Sequence, residues 1–208
     1  VPYHPGQTDR TVAGPLARSV KDCAHAMNAI ARSDGRDWME LAADPRRAMQ
    51  NPLRYWRAPF AALHMLPKKV RRGAVMRSSC QLADLPQLRS WPRDGGGFIT
   101  LPLVYSENVD QPGLLKSNLG MYRVQISGGQ YQANREIGLH YQIHRGIGVH
   151  QAKANAKGQP LKVSIFIGGP PSHTLAAVMP LPEGLSEATF AGALGGRRFR
   201  YYNENGFC

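Results

Sequence analysis

The sequence lacks the features by which several broad classes of protein are recognised. Its three cysteines, Cys23, Cys80 and Cys208, lie far apart and form no CxxC pair. This spacing argues against a disulfide framework or a zinc knuckle and suits a reducing cytoplasm. No apolar run approaches the length of a membrane span, and we expect no signal peptide. These absences predict a cytoplasmic protein.

Nucleic-acid-binding motifs are also absent, although the chain is strongly basic. Its 208 residues carry a formal net charge of +12. Residues 1–93 hold 16 Lys and Arg against 7 Asp and Glu, whereas residues 94–208 hold 10 against 7. A basic excess can serve nucleic acid, a membrane surface or a small anion. We interpret the densest cluster, "PKKVRRG" at 67–73, as a solvated surface or a patch for peripheral membrane contact, and we expect no nucleic-acid partner.

The motifs of several enzyme classes are missing as well. "GGG" at 95–97 is not followed by GK[ST] and is therefore no P-loop, and "GGPPSHT" at 168–174 lacks the GxSxG elbow of a serine hydrolase. Helical spacing and prolines predict short helices in the first half, and alternating apolar residues predict strands from residue 98 onward. With 42% hydrophobic residues, a packed core is expected. The pattern indicates an α+β fold.

Three of the seven histidines lie in "LHYQIHRGIGVH", residues 139–150. A helix would place His140 and His144 on one face, whereas a strand would place His140 and Gln142 on one face. The strand is favoured, because the apolar residues of 137–143 alternate with these polar ones, and a helix follows. On this interpretation the other two histidines of the stretch serve the helix start or packing.

A second candidate group lies in "NLGMYRVQIS" (118–127), which is predicted to be one strand. Asn118 offers an amide oxygen to a hard cation, and Arg123 offers a forked guanidinium to a carboxylate or phosphate. Gly120 would let a ligand approach the backbone closely. Taken alone, the group is typical of an ordinary polar strand surface.

Four segments occur together in a fixed order and spacing. They are "LADLPQLRSWPRDGGGFITLPLVYSEN", "NLGMYRVQ", "GLHYQIHRG" and "VSIFIGGPPSHTLAAVMPLPEGLSEATFAGAL". This series resembles the UbiD family of decarboxylases, which use a prenylated flavin mononucleotide (prenylated FMN). The resemblance spans residues 40–202.

The resemblance implies a split β-barrel, similar to flavin reductases, as the cofactor domain over residues 94–208, truncated at its C-terminus. Residues 39–93 would form a helical, irregular region before it, and residues 1–38 a helical N-terminal segment. Within that segment, residues 11–37 resemble a stretch of the amidase signature family, without its Ser-Ser-Lys catalytic residues. This segment could be foreign to the rest of the chain.

The resemblance also implies the site. A divalent metal, usually manganese, would hold the phosphate of the prenylated FMN, with a potassium ion nearby, and Asn118 and His140 would bind the metal. Arg123 would be catalytic, because in the family it pairs with acidic residues beside the substrate carboxylate. The residues expected to contact the cofactor are Asn118, Met121, Tyr122, Arg123, His140, Tyr141, Gln142, Arg145 and Gly146.

The implied activity is non-oxidative decarboxylation of an aromatic or α,β-unsaturated acid, such as a polyprenyl-4-hydroxybenzoate. A flavin prenyltransferase would supply the cofactor, and the full-length protein would be a homo-oligomer. The acidic metal ligand and the catalytic acids would lie beyond Cys208, so an incomplete, inactive fragment is expected; Glu183, Glu187 and Glu204 receive no role. The alternatives are a non-catalytic flavin- or phosphate-binding module and, with less support, an amidase fragment.

Overall fold

The computed structural model describes residues 46–50, 52–53, 55–56, 60, 62–179, 181, 184–203 and 207. The chain divides into two units, Val1–Ala58 and Pro59–Cys208. The described part of the first unit contains a short helix, α1 (Arg46–Gln50). Apolar residues at helical spacing predict a helix over 20–31. That helix and the amidase-like stretch lie outside the described residues, and the expected domain boundaries stay predictions.

The second unit alternates short strands with helices. Its strands are β1 (Lys68–Lys69), β2 (Phe98–Ile99), β3 (Pro102–Glu107), β4 (Ser117–Met121), β5 (Arg123–Gln125), β6 (Gly138–His140), β7 (Val163–Ile167) and β8 (Arg200–Tyr201). Its α-helices are α2 (Gly146–Ala156), α3 (Pro171–Val178) and α4 (Glu187–Gly195). Single 3-10 turns occupy Leu63–Met65, Ala74–Met76, Leu82–Asp84 and Leu114–Lys116.

These strands form three sheets. In one three-stranded sheet β3 lies between β4 and β7, and in the other β5 lies between β2 and β6, with all neighbours antiparallel. Strands β1 and β8 form a parallel pair. The prediction of a mixed fold of helices and sheets is confirmed, whereas the strands that the structure describes close no barrel.

The residue pattern of 98–106 predicts a single strand, but in the structure this segment is interrupted. Strands β2 and β3 are separated at Leu101, whose φ of 52° lies in the left-handed region. Pro102 then opens β3, a position where a strand tolerates proline. A proline within a predicted strand indicates an edge strand or a bulge; because β3 is the central strand of its sheet, the edge alternative is wrong.

The segment 118–127 is also two strands. Tyr122 separates β4 from β5, and the two strands belong to different sheets. The prediction that Asn118 and Arg123 share one strand is therefore wrong. The break places the first residue beside β3 and the second beside β6.

One hydrophobic core joins the two three-stranded sheets. Its buried members are Ile99, Val104, Val124, Ile126 and Ile147. Both valines are completely inaccessible to solvent, and burying a side chain of this kind contributes about 1.5–3 kcal/mol. The partly buried side chains of Ile137, Leu139 and Tyr141 pack on the same core. The strand predicted over 137–143 is confirmed at its centre, where β6 lies, whereas Tyr141 follows the strand and Ile143 is 85% exposed.

A serine before 187–194 and two glycines after it predict a helix over those residues, and the structure confirms it as α4. Ser186 occupies its N-cap position, and Gly196 ends it with a φ of 62°, a left-handed conformation that glycine adopts at little cost. Among the residues that the structure describes, every helix falls short of the length and hydrophobicity needed to span a bilayer.

Candidate functional site

The start of α4 is docked onto β4. The Ser186 hydroxyl lies 3.0 Å from the Ser117 hydroxyl, and the Glu187 carboxylate accepts the Leu119 backbone N–H at 3.0 Å. Both contacts join residues that are almost 70 positions apart in sequence. They bring a carboxylate to the strand that carries Asn118.

The side chain of Asn118 lies against the first residue of α2. A Cβ atom built on Gly146 would fall 2.1 Å from the Asn118 Oδ1 atom, so glycine is required for this close approach. The other end of the amide, Nδ2, donates to the Tyr122 hydroxyl at 3.2 Å. Asn118 thus links β4 to the N-terminus of α2.

Tyr122 completes this group. Its ring lies directly over Gly120, where an added Cβ would come within 2.5 Å of the phenol. The Ile147 backbone N–H, in the first turn of α2, lies close enough to the hydroxyl to offset part of the rise that burial causes in the pKa of Tyr122. We call Asn118, Tyr122, Gly146, Ile147 and Glu187 the polar cluster.

Burial dominates the electrostatics of the polar cluster. It raises the pKa of the Glu187 carboxyl, and the N–H groups of Leu119 and of Glu187 itself offset that shift only in part. Burial also raises the pKa of Tyr122, with the Glu187 carboxylate adding to the effect. Within the described residues, no basic side chain forms an ion pair with Glu187. The cluster therefore holds a partly desolvated carboxyl group that has no basic partner among the described residues.

A separate pocket of about 350 Å³ surrounds Arg123. We call it the arginine pocket; it is lined by Leu88, Ser90, Trp91, Asp94, Phe98, Ile99, Thr100 and Arg123. The Arg123 guanidinium carbon lies 3.8 Å above the centroid of the Phe98 ring, a cation–π contact. The lining combines apolar and aromatic side chains with two hydroxyl groups and the Asp94–Arg123 ion pair, and Arg123 is its one cationic group, which can face the carboxylate of an aromatic acid.

Asp94 forms an ion pair with Arg123 at 2.7 Å. Although desolvation disfavours its charged form, the Trp91 N–H and the Arg123 guanidinium together hold the pKa of the Asp94 carboxyl below its usual value. The aspartate precedes the "GGG" run, whose middle glycine packs directly on Ser127. The loop is thereby held next to β5.

The residues expected at the site divide between these two regions. Asn118, Tyr122 and Gly146 come together in the polar cluster, and Tyr141 contacts its edge through an edge-to-face contact with Tyr122 at 6.3 Å. Arg145, the N-cap residue of α2, bonds to Gln142 through its backbone N–H at 3.0 Å. Met121 is half-buried at the end of β4, whereas Gln142 and Arg145 are exposed.

His140 lies in the other region. It is paired with Arg123 across β5 and β6 and packs edge-on against Phe98 with 6.1 Å between ring centroids. Among the described residues no hydrogen bond joins it to Asn118, the other expected metal ligand. In the same part of the chain, no group of three or more His, Cys, Asp and Glu side chains is arranged to hold a metal ion.

The remaining histidines of that stretch differ from each other. His150 is buried, and its Nδ1 lies 3.0 Å from the Ser106 hydroxyl, which confirms a packing role. His144 is exposed in the turn before α2.

Two residues of the site carry no clear sequence signal. Glu187 looks like an ordinary first-turn acid after a serine cap, which is favourable at any helix N-terminus. Asp94 looks like part of an irregular loop. Only the long-range contacts to Leu119 and Arg123 reveal them.

Comparison with known proteins defines the class. Residues 67–206 match the family model described as the UbiD 3-octaprenyl-4-hydroxybenzoate carboxy-lyase Rift-related domain. The chain belongs to the UbiD family.

Named relatives fit this class. A protein of Chlamydia pneumoniae, named as one of the subunits of a 4-hydroxybenzoate decarboxylase, is 49% identical over 131 residues, which is 63% of this chain and 21% of that protein. The vanillic acid decarboxylase ShVdcCD of Sedimentibacter hydroxybenzoicus, in closed form, aligns with a TM-score of 0.58 and 26% identity, over 72% of this chain and 34% of that one. These relatives are UbiD-type decarboxylases.

A weaker likeness concerns HmfF of Pelotomaculum thermopropionicum, a UbiD-class enzyme whose evolved dimeric form was solved with prFMN. It has a TM-score of 0.46 and 23% identity, over 53% of this chain and 24% of that one. The present chain spans about a fifth of the length of the curated relatives it matches.

Proposed function

We propose that this chain supplies half of the active site of a UbiD-type decarboxylase. The reaction is the non-oxidative removal of carbon dioxide from an aromatic or α,β-unsaturated carboxylic acid, such as a polyprenyl-4-hydroxybenzoate. Membership of the UbiD family supports the reaction class. The observation that carries the proposal is the arginine pocket, in which Arg123 is set among aromatic and apolar walls.

Arg123 is the group that holds the substrate carboxylate. Its side chain is 53% exposed and lines the pocket. A guanidinium has donors on more than one edge, so the ion pair with Asp94 leaves others for a ligand. Trp91 and Phe98 offer the apolar surface against which a planar acid would pack.

The polar cluster is the place for the phosphate end of prenylated FMN and its divalent metal. The Asn118 amide oxygen and the desolvated Glu187 carboxylate are hard oxygen donors, which suit manganese or magnesium. An anion is also stabilised at a helix N-terminus such as that of α2. A cation between these groups would offset the unpaired charge of Glu187. His140 and a potassium ion remain part of the proposal through the family resemblance.

When bound, prenylated FMN would supply a ring system that accepts the electron pair left by the departing carbon dioxide. The described residues would bind the substrate and orient it. Arg123 would hold the carboxylate of the acid, and Trp91 and Phe98 would pack against its ring. A carboxylic acid from another part of the protein returns the proton.

The same family resemblance supports three further parts of the proposal. The two three-stranded sheets, which share one core, belong to a split β-barrel. A flavin prenyltransferase supplies the cofactor. The full-length protein is a cytoplasmic homo-oligomer, and its basic cluster at 67–73 makes peripheral contact with the membrane. The catalytic set includes an acid that the described residues do not supply.

The Arg123→Ala substitution tests the function in the full-length protein co-produced with a flavin prenyltransferase. Loss of a charge-assisted hydrogen bond of about 1.5–3 kcal/mol should lower kcat/KM for an aromatic acid by about 10- to 150-fold. Flavin absorbance of the purified protein should stay unchanged. Carbon dioxide release and flavin content are measured side by side.

Arg135→Ala is the matched control, because Arg135 is exposed and lies in a turn away from the described contacts of Arg123. Turnover that survives Arg123→Ala would remove Arg123 from the mechanism. Flavin binding without carbon dioxide release from any aromatic or unsaturated acid would favour the non-catalytic binding module instead.

A further inference from the structure

Asp94 is fixed at both of its carboxylate oxygens. Oδ1 accepts Arg123 Nη2 at 2.7 Å, and Oδ2 accepts the Trp91 backbone N–H at 3.0 Å. Its side chain is only 10% exposed, against 53% for Arg123. The aspartate is therefore held by its own loop, and the arginine is the more mobile partner by exposure.

Arg123 is restrained from two directions. Asp94 binds one nitrogen, and the Phe98 ring supports the guanidinium plane at 3.8 Å. Among the described residues, Asp94 is the only hydrogen-bond acceptor that Arg123 contacts. Since a guanidinium carries five N–H donors, most of them remain for a ligand in the pocket that Arg123 lines.

We propose that Asp94 is a positioning residue, which holds Arg123 in the orientation that binds the carboxylate of an aromatic acid. A long, exposed arginine side chain would otherwise lose conformational entropy on binding. An anchor fixed at both oxygens removes much of that loss in advance, as supporting residues do at preorganised sites. The identity of the ligand as a substrate rests on the proposed decarboxylase function.

The loop geometry provides a matched control. Asp84 Oδ2 accepts the backbone N–H of Gln81, three residues earlier, at 3.1 Å, as Asp94 does with Trp91. Asp84 has no arginine partner among the described contacts. The Asp94→Asn and Asp84→Asn substitutions therefore remove the same charge from the same kind of turn, and only the first removes the ion pair with Arg123.

The first measurement is calorimetric titration of the full-length protein, without substrate turnover, using benzoate as the probe. Asp94→Asn should weaken benzoate binding by about tenfold, and Asp84→Asn should leave it unchanged within about twofold. The Asp94→Asn change in an Arg123→Ala background should have no further effect, because the positioned group is gone. Asp94→Glu, which keeps the charge, should recover part of the affinity.

The second measurement is turnover of an aromatic acid by the cofactor-loaded protein, where kcat/KM should fall in parallel with benzoate affinity. If Asp94→Asn binds benzoate as well as or better than the parent, or if its effect adds to that of Arg123→Ala, the positioning role is overturned. Absence of benzoate binding to the parent protein also overturns it. Absence of turnover with benzoate binding intact overturns the proposed function alone.

If Asp94→Asn fails to fold, the Asp94→Glu variant tests the proposal instead. Loss of benzoate affinity without loss of Tm supports the positioning role, and unchanged affinity overturns it.

Discussion

The polar cluster and the arginine pocket are built on neighbouring stretches of one chain, but they are constructed in different ways. In the polar cluster the closest approach joins a glycine to the flexible end of a side chain, since a Cβ on Gly146 would meet the Asn118 amide. At the arginine pocket it joins backbone to backbone, because a Cβ on Gly96 would fall 1.6 Å from the Ser127 carbonyl oxygen. One region can adjust by rotating a side chain, and the other cannot.

Because of this difference, substitutions in the two regions should affect different properties, namely fold stability in one and ligand affinity in the other. A methyl group that meets backbone atoms must displace two chain segments. A methyl group that meets the Asn118 amide displaces only the side chain that would bind a ligand. A substitution in the loop 94–97, beside the arginine pocket, should therefore mainly lower the stability of the fold. A substitution at the start of α2 should be felt first as lost affinity.

The largest effect is expected for Gly96→Ala. The added methyl group overlaps the Ser127 backbone, and overpacking of this kind costs about 3 kcal/mol. Urea unfolding should show this loss, and benzoate affinity should fall because the loop carries Asp94. Gly73→Ala, where the nearest atom lies 3.9 Å away, is the control. Stability equal to that of the control would mean that the loop is not rigid.

Gly146→Ala should have a smaller effect on stability and a selective effect on binding. Rotating the Asn118 amide away from the new methyl group costs about 1 kcal/mol. FMN affinity, followed by flavin fluorescence, should fall by about tenfold, while benzoate affinity stays at the parental level. Loss of benzoate binding together with FMN binding would contradict the separation of the two regions.

The smallest effect concerns Glu187 and depends on pH. Because burial raises its pKa in the folded state, the unfolded chain ionises more readily, and stability falls as pH rises from the unfolded value through the folded value. Glu187→Gln keeps an acceptor for the Leu119 N–H and removes this penalty. At pH 7 its Tm should exceed that of the parent by about 2–4 °C, equivalent to about 1 kcal/mol.

The advantage of Glu187→Gln should disappear in acid, below the pKa of an ordinary glutamate, where both proteins are uncharged at this position. Added Mn²⁺ should raise the Tm of the parent and not that of the variant. An advantage that is independent of pH, or equal stabilisation of both proteins by Mn²⁺, would show that Glu187 is not a desolvated anion near a cation site.

Local patterns predicted much of the fold. The alternation around Leu139, the serine before α4 and the glycines after it are short-range signals, and the corresponding elements are present. The break at Tyr122 was not predicted, because its residue pattern is as regular as that of a continuous strand. Only the assignment of β4 and β5 to different sheets exposes it.

The candidate site was predictable to the extent that its residues fall in recognisable segments. Asn118, Arg123 and Gly146 were identified through the family resemblance, and the structure places the first and third in contact. Glu187 and Asp94 depend on tertiary pairing, the first across 68 positions and the second across 29. The spacing of residues along the sequence does not indicate which residues form such pairs.

The single residue between β4 and β5 also fixes a length. Asn118 and Arg123 are five positions apart, so their Cα atoms are separated by at most about 17 Å, whatever the bend at Tyr122. This upper limit also applies to the distance that a molecule must span to reach both residues. An elongated ligand that places an anionic tail at Asn118 and a planar head at Arg123 therefore needs to span no more than about 17 Å between the two Cα positions.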